Sequence, residues 1–104
     1  MDMYKIFIEA INTKRIVSLK YDSHEKGIII RLCIPFDYGI SRRYKDGKER
    51  YHLYSLNGPE GAHNISILPE QILEIGLTNE HFDPGNYVTW TPNWIVKRDW
   101  REYS

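Results

Sequence analysis

Residues 16–34 read IVSLKY (16–21), DSHEKG (22–27) and IIIRLCI (28–34), and this stretch decides the fold. Val17, Leu19 and Tyr21 alternate with Ser18 and Lys20, and Ile28, Ile30, Leu32 and Ile34 alternate with Ile29, Arg31 and Cys33. Period-two alternation sends successive side chains to opposite faces of an extended chain, so two strands joined by the polar turn are predicted. The row of Ile28, Ile30, Leu32 and Ile34 is the expected core face, which leaves Arg31 on the opposite side, toward solvent or a groove.

Upstream, Met3, Phe7 and Ala10, flanked by Tyr4, Ile8 and Ile11, recur at helical spacing behind Asp2, while Lys5, Glu9 and Asn12 share the other face. One amphipathic helix over about 2–13, N-capped by Asp2, is expected. Downstream, Pro35 ends or bends the second strand, and a short third strand is expected from Phe36 to Ser41 around Gly39. Asp46 and Gly47 signal a type I′ hairpin turn into a strand from Arg50 to Leu56. Asn57 to Gly61 is turn chemistry, Ile65 and Ile67 mark a further strand, Pro69 opens a short turn or 3₁₀ piece, and Leu73, Ile75 and Leu77 resume period two. Short strands about ten residues apart point to a small barrel over about 16–78. Beyond Phe82, Tyr87, Trp90, Trp94, Trp100 and Tyr103 stand among few aliphatic residues, and this aromatic tail, 82–104, is expected to wrap the barrel and cover a face that short strands leave open.

The 104 residues suffice for a single domain. Fourteen Lys plus Arg balance fourteen Asp plus Glu, so any nucleic-acid role must rest on a local patch rather than a global field. The lone Cys33 excludes an internal disulfide and a thiolate zinc cluster and fits a reducing cytoplasm. No apolar run is longer than Ile28, Ile29 and Ile30, so no membrane span is expected.

The order of features resembles the WYL domain, a small SH3-like or Sm-like β-barrel found mostly in bacterial regulators. The resemblance runs from about Ile8 to Thr78 through "EAINTKRIVSLKY", the "RLCIP" that sets Arg31 four residues before Pro35, "RYHLYSL" and "ISILPEQILEIGLT". The namesake tripeptide stands here as Tyr51, His52 and Leu53, and "FDPGNYV" is similar to a segment that follows the barrel in some stand-alone members. The resemblance implies a ligand-binding or regulatory module, often fused to a winged helix-turn-helix, whose basic surface takes nucleotides or nucleic acid. Only one helix precedes the strands here, and Ser66 and Gln71 stand where many members carry arginines. The expected protein is therefore a WYL-like module without a helix-turn-helix.

The family position singles out Arg31 as a ligand residue. Around the expected hairpin, Arg42, Arg43, Lys45, Lys48 and Arg50 place five cations against Asp46 and Glu49, with Tyr44 and Tyr51 between them. Such a tip can follow phosphates while tyrosines stack bases; equally, its charges can be solvation that protects a sheet edge. His52 points to the side of Arg50 and can hydrogen-bond a ligand or stand exposed. No motif for a nucleophile elbow, phosphate loop or metal cluster occurs among the four histidines and Cys33, so a non-catalytic module without cofactor or metal is expected. The candidate partners are a nucleotide or single-stranded nucleic acid. The other reading is a protein-interaction or homodimerisation module in which Trp90, Trp94 and Trp100 form the interface.

Overall fold

The computed structural model describes residues 2–104. Asp2 caps the helix as expected, its carboxylate accepting from the Lys5 amide at 3.2 Å and so satisfying one of the amides left without a partner in a first turn. Helix α1 (Met3–Thr13) buries Phe7, Ala10 and Ile11 and ends at Lys14, whose left-handed conformation (φ 55°) turns the chain directly into the sheet.

Five strands follow, β1 (Arg15–Asp22), β2 (Ile28–Ile40), β3 (Glu49–Ser55), β4 (His63–Ile67) and β5 (Ile72–His81), in one antiparallel sheet ordered β4-β3-β2-β1-β5. The separate strand expected at 36–41 is the second half of β2: an irregularity between Pro35 and Asp37 absorbs the bend that proline imposes, and pairing with β3 then resumes. The hairpin turn also differs from expectation. Gly47 takes φ 72° but Asp46 keeps a negative φ, so the connection is not type I′. It is an eight-residue loop, 41–48, pinned by the Asp46 carboxylate accepting from Lys48 N at 3.0 Å.

No ladder joins β4 to β5 among the described residues, so the sheet curls without closing. The expected 3₁₀ turn, Pro69–Gln71, spans part of the gap, with Gln71 Nε2 donating to Asp22 O at 2.9 Å and its Oε1 accepting from Leu68 N at 2.9 Å.

The face assignment of β2 is reversed. Val17 stands opposite Cys33, and Leu19 opposite both Arg31 and Ile75, on the face that α1 covers. Arg31 therefore lies on the inner face, whereas Ile28 and Ile30 are 62% and 61% exposed on the outer one. The reason is the tail. It covers only one end of the outer face, where Ile34, paired with Tyr54, is fully buried and Tyr54 meets Tyr87 with ring centroids 5.7 Å apart.

The tail packs in cis. Phe82 N donates to Lys14 O at 2.9 Å, and Trp100 Nε1 to Ile11 O at 2.8 Å, beside the Lys14 amide that also reaches Ile11 O at 3.3 Å, so the tail is tied to the end of α1. Trp100, expected at an interface, is 1% exposed and packs inside this chain's own fold; Trp94 is half-buried, and Trp90 is the tryptophan left open to solvent. Trp90 and Trp94 both pack on Phe36. The tail is held by Asp37, whose carboxylate accepts from Ile95 N and Val96 N, both at 2.9 Å, and pairs with Arg98. Each fully buried aromatic ring here contributes roughly 2–3 kcal/mol. No helix among the described residues is long and apolar enough to cross a membrane.

Candidate ligand-binding trough

A trough of about 620 Å³ runs beside β4, with the tip of the β1–β2 hairpin as its other wall. Its apolar lining comes from inner-face positions of the curled sheet, including Ile29, Ile65 and Ile67, and its polar lining from the turns that border it. Arg31, Arg43, Arg50 and Lys26 all line it, against the carboxylates of Glu25 and Glu60.

Arg31 is set by two neighbouring turns. Leu56 N donates to Leu32 O at 2.8 Å and Leu32 N to Asn57 Oδ1 at 2.9 Å, which clips the loop after β3 onto β2. Gly58 in that loop has φ 132°, and a Cβ there would stand 2.6 Å from Arg31 Nε. Only glycine lets the guanidinium lie against this loop. Arg31 is half-buried, spends one donor on Ile30 O at 2.8 Å, and has no carboxylate partner among the described residues. Tyr21 lines the same space, its hydroxyl pushed up by burial and by the nearby Cys33, with Arg31 acting in the opposite sense.

At the other end, the register sets Arg50 beside Tyr51, which pairs with Ile67. Arg50 is 7% exposed, a correction to its reading as a free cation. Both terminal nitrogens donate to Asp46, at 3.0 and 2.9 Å, and the guanidinium lies 4.1 Å from the Tyr44 ring centroid. That hydrogen-bonded pair, helped by Lys48 N, holds the Asp46 carboxyl down at about 2. Arg43 also approaches Tyr44, at 5.8 Å. Tyr44 is thus already faced by cations. Tyr51 is unavailable for stacking on a base, because its ring is buried against Phe7 (4.9 Å) and Tyr38 (4.5 Å). Lys26 is paired with Glu60. Among the described residues, the trough arginines with no acidic partner are Arg31, seated against Gly58, and Arg43, beside Tyr44.

The remaining sequence candidates lie elsewhere. Arg42 and His52 face a second cavity, about 570 Å³, on the other side of β4. Because Gly39 O can only accept, His52 Nε2 carries the proton at 3.1 Å, and Nδ1 accepts from Ser66 Oγ at 2.8 Å. Both ring nitrogens are engaged, so His52 is not a free ligand group. Lys48 is exposed and lines neither cavity. Cys33 is fully buried, with its thiol pushed up to about 12 by burial and countered only in part by Arg31, and so lacks the thiolate that reactivity requires.

Lys26, Gly58 and Tyr21 were missed as site residues. For Lys26 and Gly58 the signal was the pair of polar turns, 22–27 and 57–61, which an antiparallel meander places at the same end of the sheet. No group of three potential metal ligands occurs among the described residues. Compared with protein-family models, curated proteins and solved structures, the chain matches none, so the reading of this site rests on its own geometry.

Proposed function

We propose that the protein is a non-catalytic, WYL-like ligand-binding module of bacterial type, acting in the cytoplasm, and that its ligand is a nucleotide or nucleic acid held through the trough. The observation that carries the reading is the cation-lined trough itself, with Arg31 seated against Gly58 and two arginines free of acidic partners. The strand order β4-β3-β2-β1-β5, with a 3₁₀ turn between β4 and β5, supports an incompletely closed SH3-like or Sm-like barrel. A guanidinium hydrogen-bonded to phosphate contributes about 1.5–3 kcal/mol. Titration with mononucleotides and short single strands at two salt concentrations tests it. Arg31→Ala is expected to weaken binding about 10- to 150-fold and to leave melting nearly unchanged. No binding by the parent, or equal binding by the variant, refutes the reading.

An oligomerisation module is the second reading, favoured by one observation: Ile28, Ile30 and Leu32 form an exposed apolar row on the outer face. It replaces the tail as the interface, since Trp100 is buried in cis. Concentration-dependent sedimentation distinguishes the two.

A further inference from the structure

The two cavities share one wall. Asn64, Ile65 and Ser66 of β4 line both the cationic trough and the second cavity, so this edge strand is a ridge between them. Their chemistry is complementary. Across the ridge from the trough, the second cavity has aromatic and aliphatic walls, Phe36, Trp90, Trp94, Ile40 and Ile95, around polar groups that include Asn64, Ser66 and Asn93. Trp90, Ile40 and Ile95 are 46%, 58% and 60% exposed, an unusual concentration of open apolar surface in one groove. Its one acidic residue, Asp37, is consumed by Ile95 N, Val96 N and Arg98. The consecutive arginines divide between the two spaces, Arg42 lining the groove and Arg43 the trough.

We infer that β4 is straddled by single-stranded nucleic acid, with its phosphates in the cationic trough and at least one base in the aromatic groove against Trp90. The inference rests on the proposed function and selects a strand over a mononucleotide. The two unpaired arginines sit in different parts of the trough, Arg31 against Gly58 and Arg43 beside Tyr44, so a strand with several phosphates can meet both. An indole face half open to solvent stacks any base, while the side-chain amides of Asn64 and Asn93 present both donors and acceptors to a base edge. Arg42 and Arg43 flank the ridge where a backbone passes from one space to the other.

The test uses the full chain with three probes: short oligothymidylate, the same length of abasic deoxyribose-phosphate strand, and thymidine monophosphate. The oligothymidylate is expected to bind most tightly and to quench tryptophan fluorescence. The abasic strand is expected to bind about 5- to 150-fold more weakly, the range that one lost stacked base corresponds to, and without quenching. Trp90→Ala is expected to reduce oligothymidylate affinity to that of the abasic strand and to leave the abasic strand's affinity unchanged. Because the abasic comparison needs no variant, an unstable Trp90→Ala protein does not spoil the test. If the abasic strand binds as tightly as oligothymidylate the groove takes no base, and if the monophosphate binds as tightly as oligothymidylate no strand is selected; in either case the inference falls while the trough reading survives. If nothing binds, both fall.

Discussion

The molecule uses the same three parts twice, an arginine, an aromatic face and a carboxylate, at opposite extremes of sequence separation. In the tail, Arg98 lies between Trp94 and Trp100, at 4.1 and 4.5 Å from their ring centroids, and pairs with Asp37 sixty-one positions away. At the hairpin tip, Arg50 lies over Tyr44 and pairs with Asp46 four positions away. The guanidinium of Arg98 is pulled down to about 10 by burial, with Asp37 opposing. That of Arg50 is pushed up by its hydrogen bond to Asp46. The first pair is therefore a structural clamp whose charges depend on each other. The second keeps a cation in place at the rim of a site.

Breaking the tail clamp gives the largest effect. Asp37→Ala leaves the Arg98 charge buried without its partner and frees two tail amides, and is expected to cost about 3–5 kcal/mol in denaturant unfolding. A loss no greater than that of a tip variant would erase the distinction between the two pairs.

Alkaline titration is the intermediate test, because it separates the core from the clamp. The folded-state value of Cys33 is raised from 9.0 to about 12, so the unfolded chain ionises first. Stability that is fully present below pH 9.0 is then lost as pH rises. Arg98, lowered to about 10, acts in the opposite sense at higher pH, since the folded state gains relative to the unfolded one once the buried charge can be released. Between pH 9.0 and 10 Cys33 begins the loss and Tyr21, Tyr38 and Tyr51, also raised from 10.0, add to it as pH 10 is approached, so Cys33→Ala is expected to reduce the slope in melts run across that interval, most at its lower end. A slope unchanged in the variant assigns it elsewhere.

The smallest effect on stability is expected at the tip, and there the readout is binding. Asp46→Asn releases Arg50 toward the trough, so affinity for short single strands should rise with little change in melting. A fall in affinity would mean that Asp46 holds Arg50 in its working position.

The contrast also explains what the sequence made legible. Local relations were readable: the Asp2 cap, the Pro69 turn and the period-two strands all depend on neighbours within a few residues. The orientation of β2 was not, because Ile28, Ile29 and Ile30 satisfy either phase, and the deciding partner of Ile34's face is a tail some fifty residues later. Hence Arg31 was correctly separated from Ile30 and Leu32 and does line a groove, but the core face of β2 was assigned to Ile28, Ile30 and Leu32, which are exposed. The cations of 42–50 were visible as a group, yet their division into paired and unpaired members depends on which side chain reaches Asp46. Nothing in the spacing of Asp37 and Arg98 marks them as partners. The trough needed two distant turns to meet.

The hydrogen bond from Trp100 Nε1 to Ile11 O joins residues eighty-nine positions apart, with Phe82 N closing on Lys14 O beside it. At translation rates of about 5–20 residues per second, the end of α1 waits roughly 4 to 18 s for the indole that packs against it. During that interval the nascent sheet carries an uncovered outer face, with Ile34 as well as Ile28 and Ile30 open to whatever is nearby. Native burial of this domain is consequently a late event in synthesis, and a stall between residues 82 and 100 would strand a chain whose strands are all made but whose core is not yet sealed.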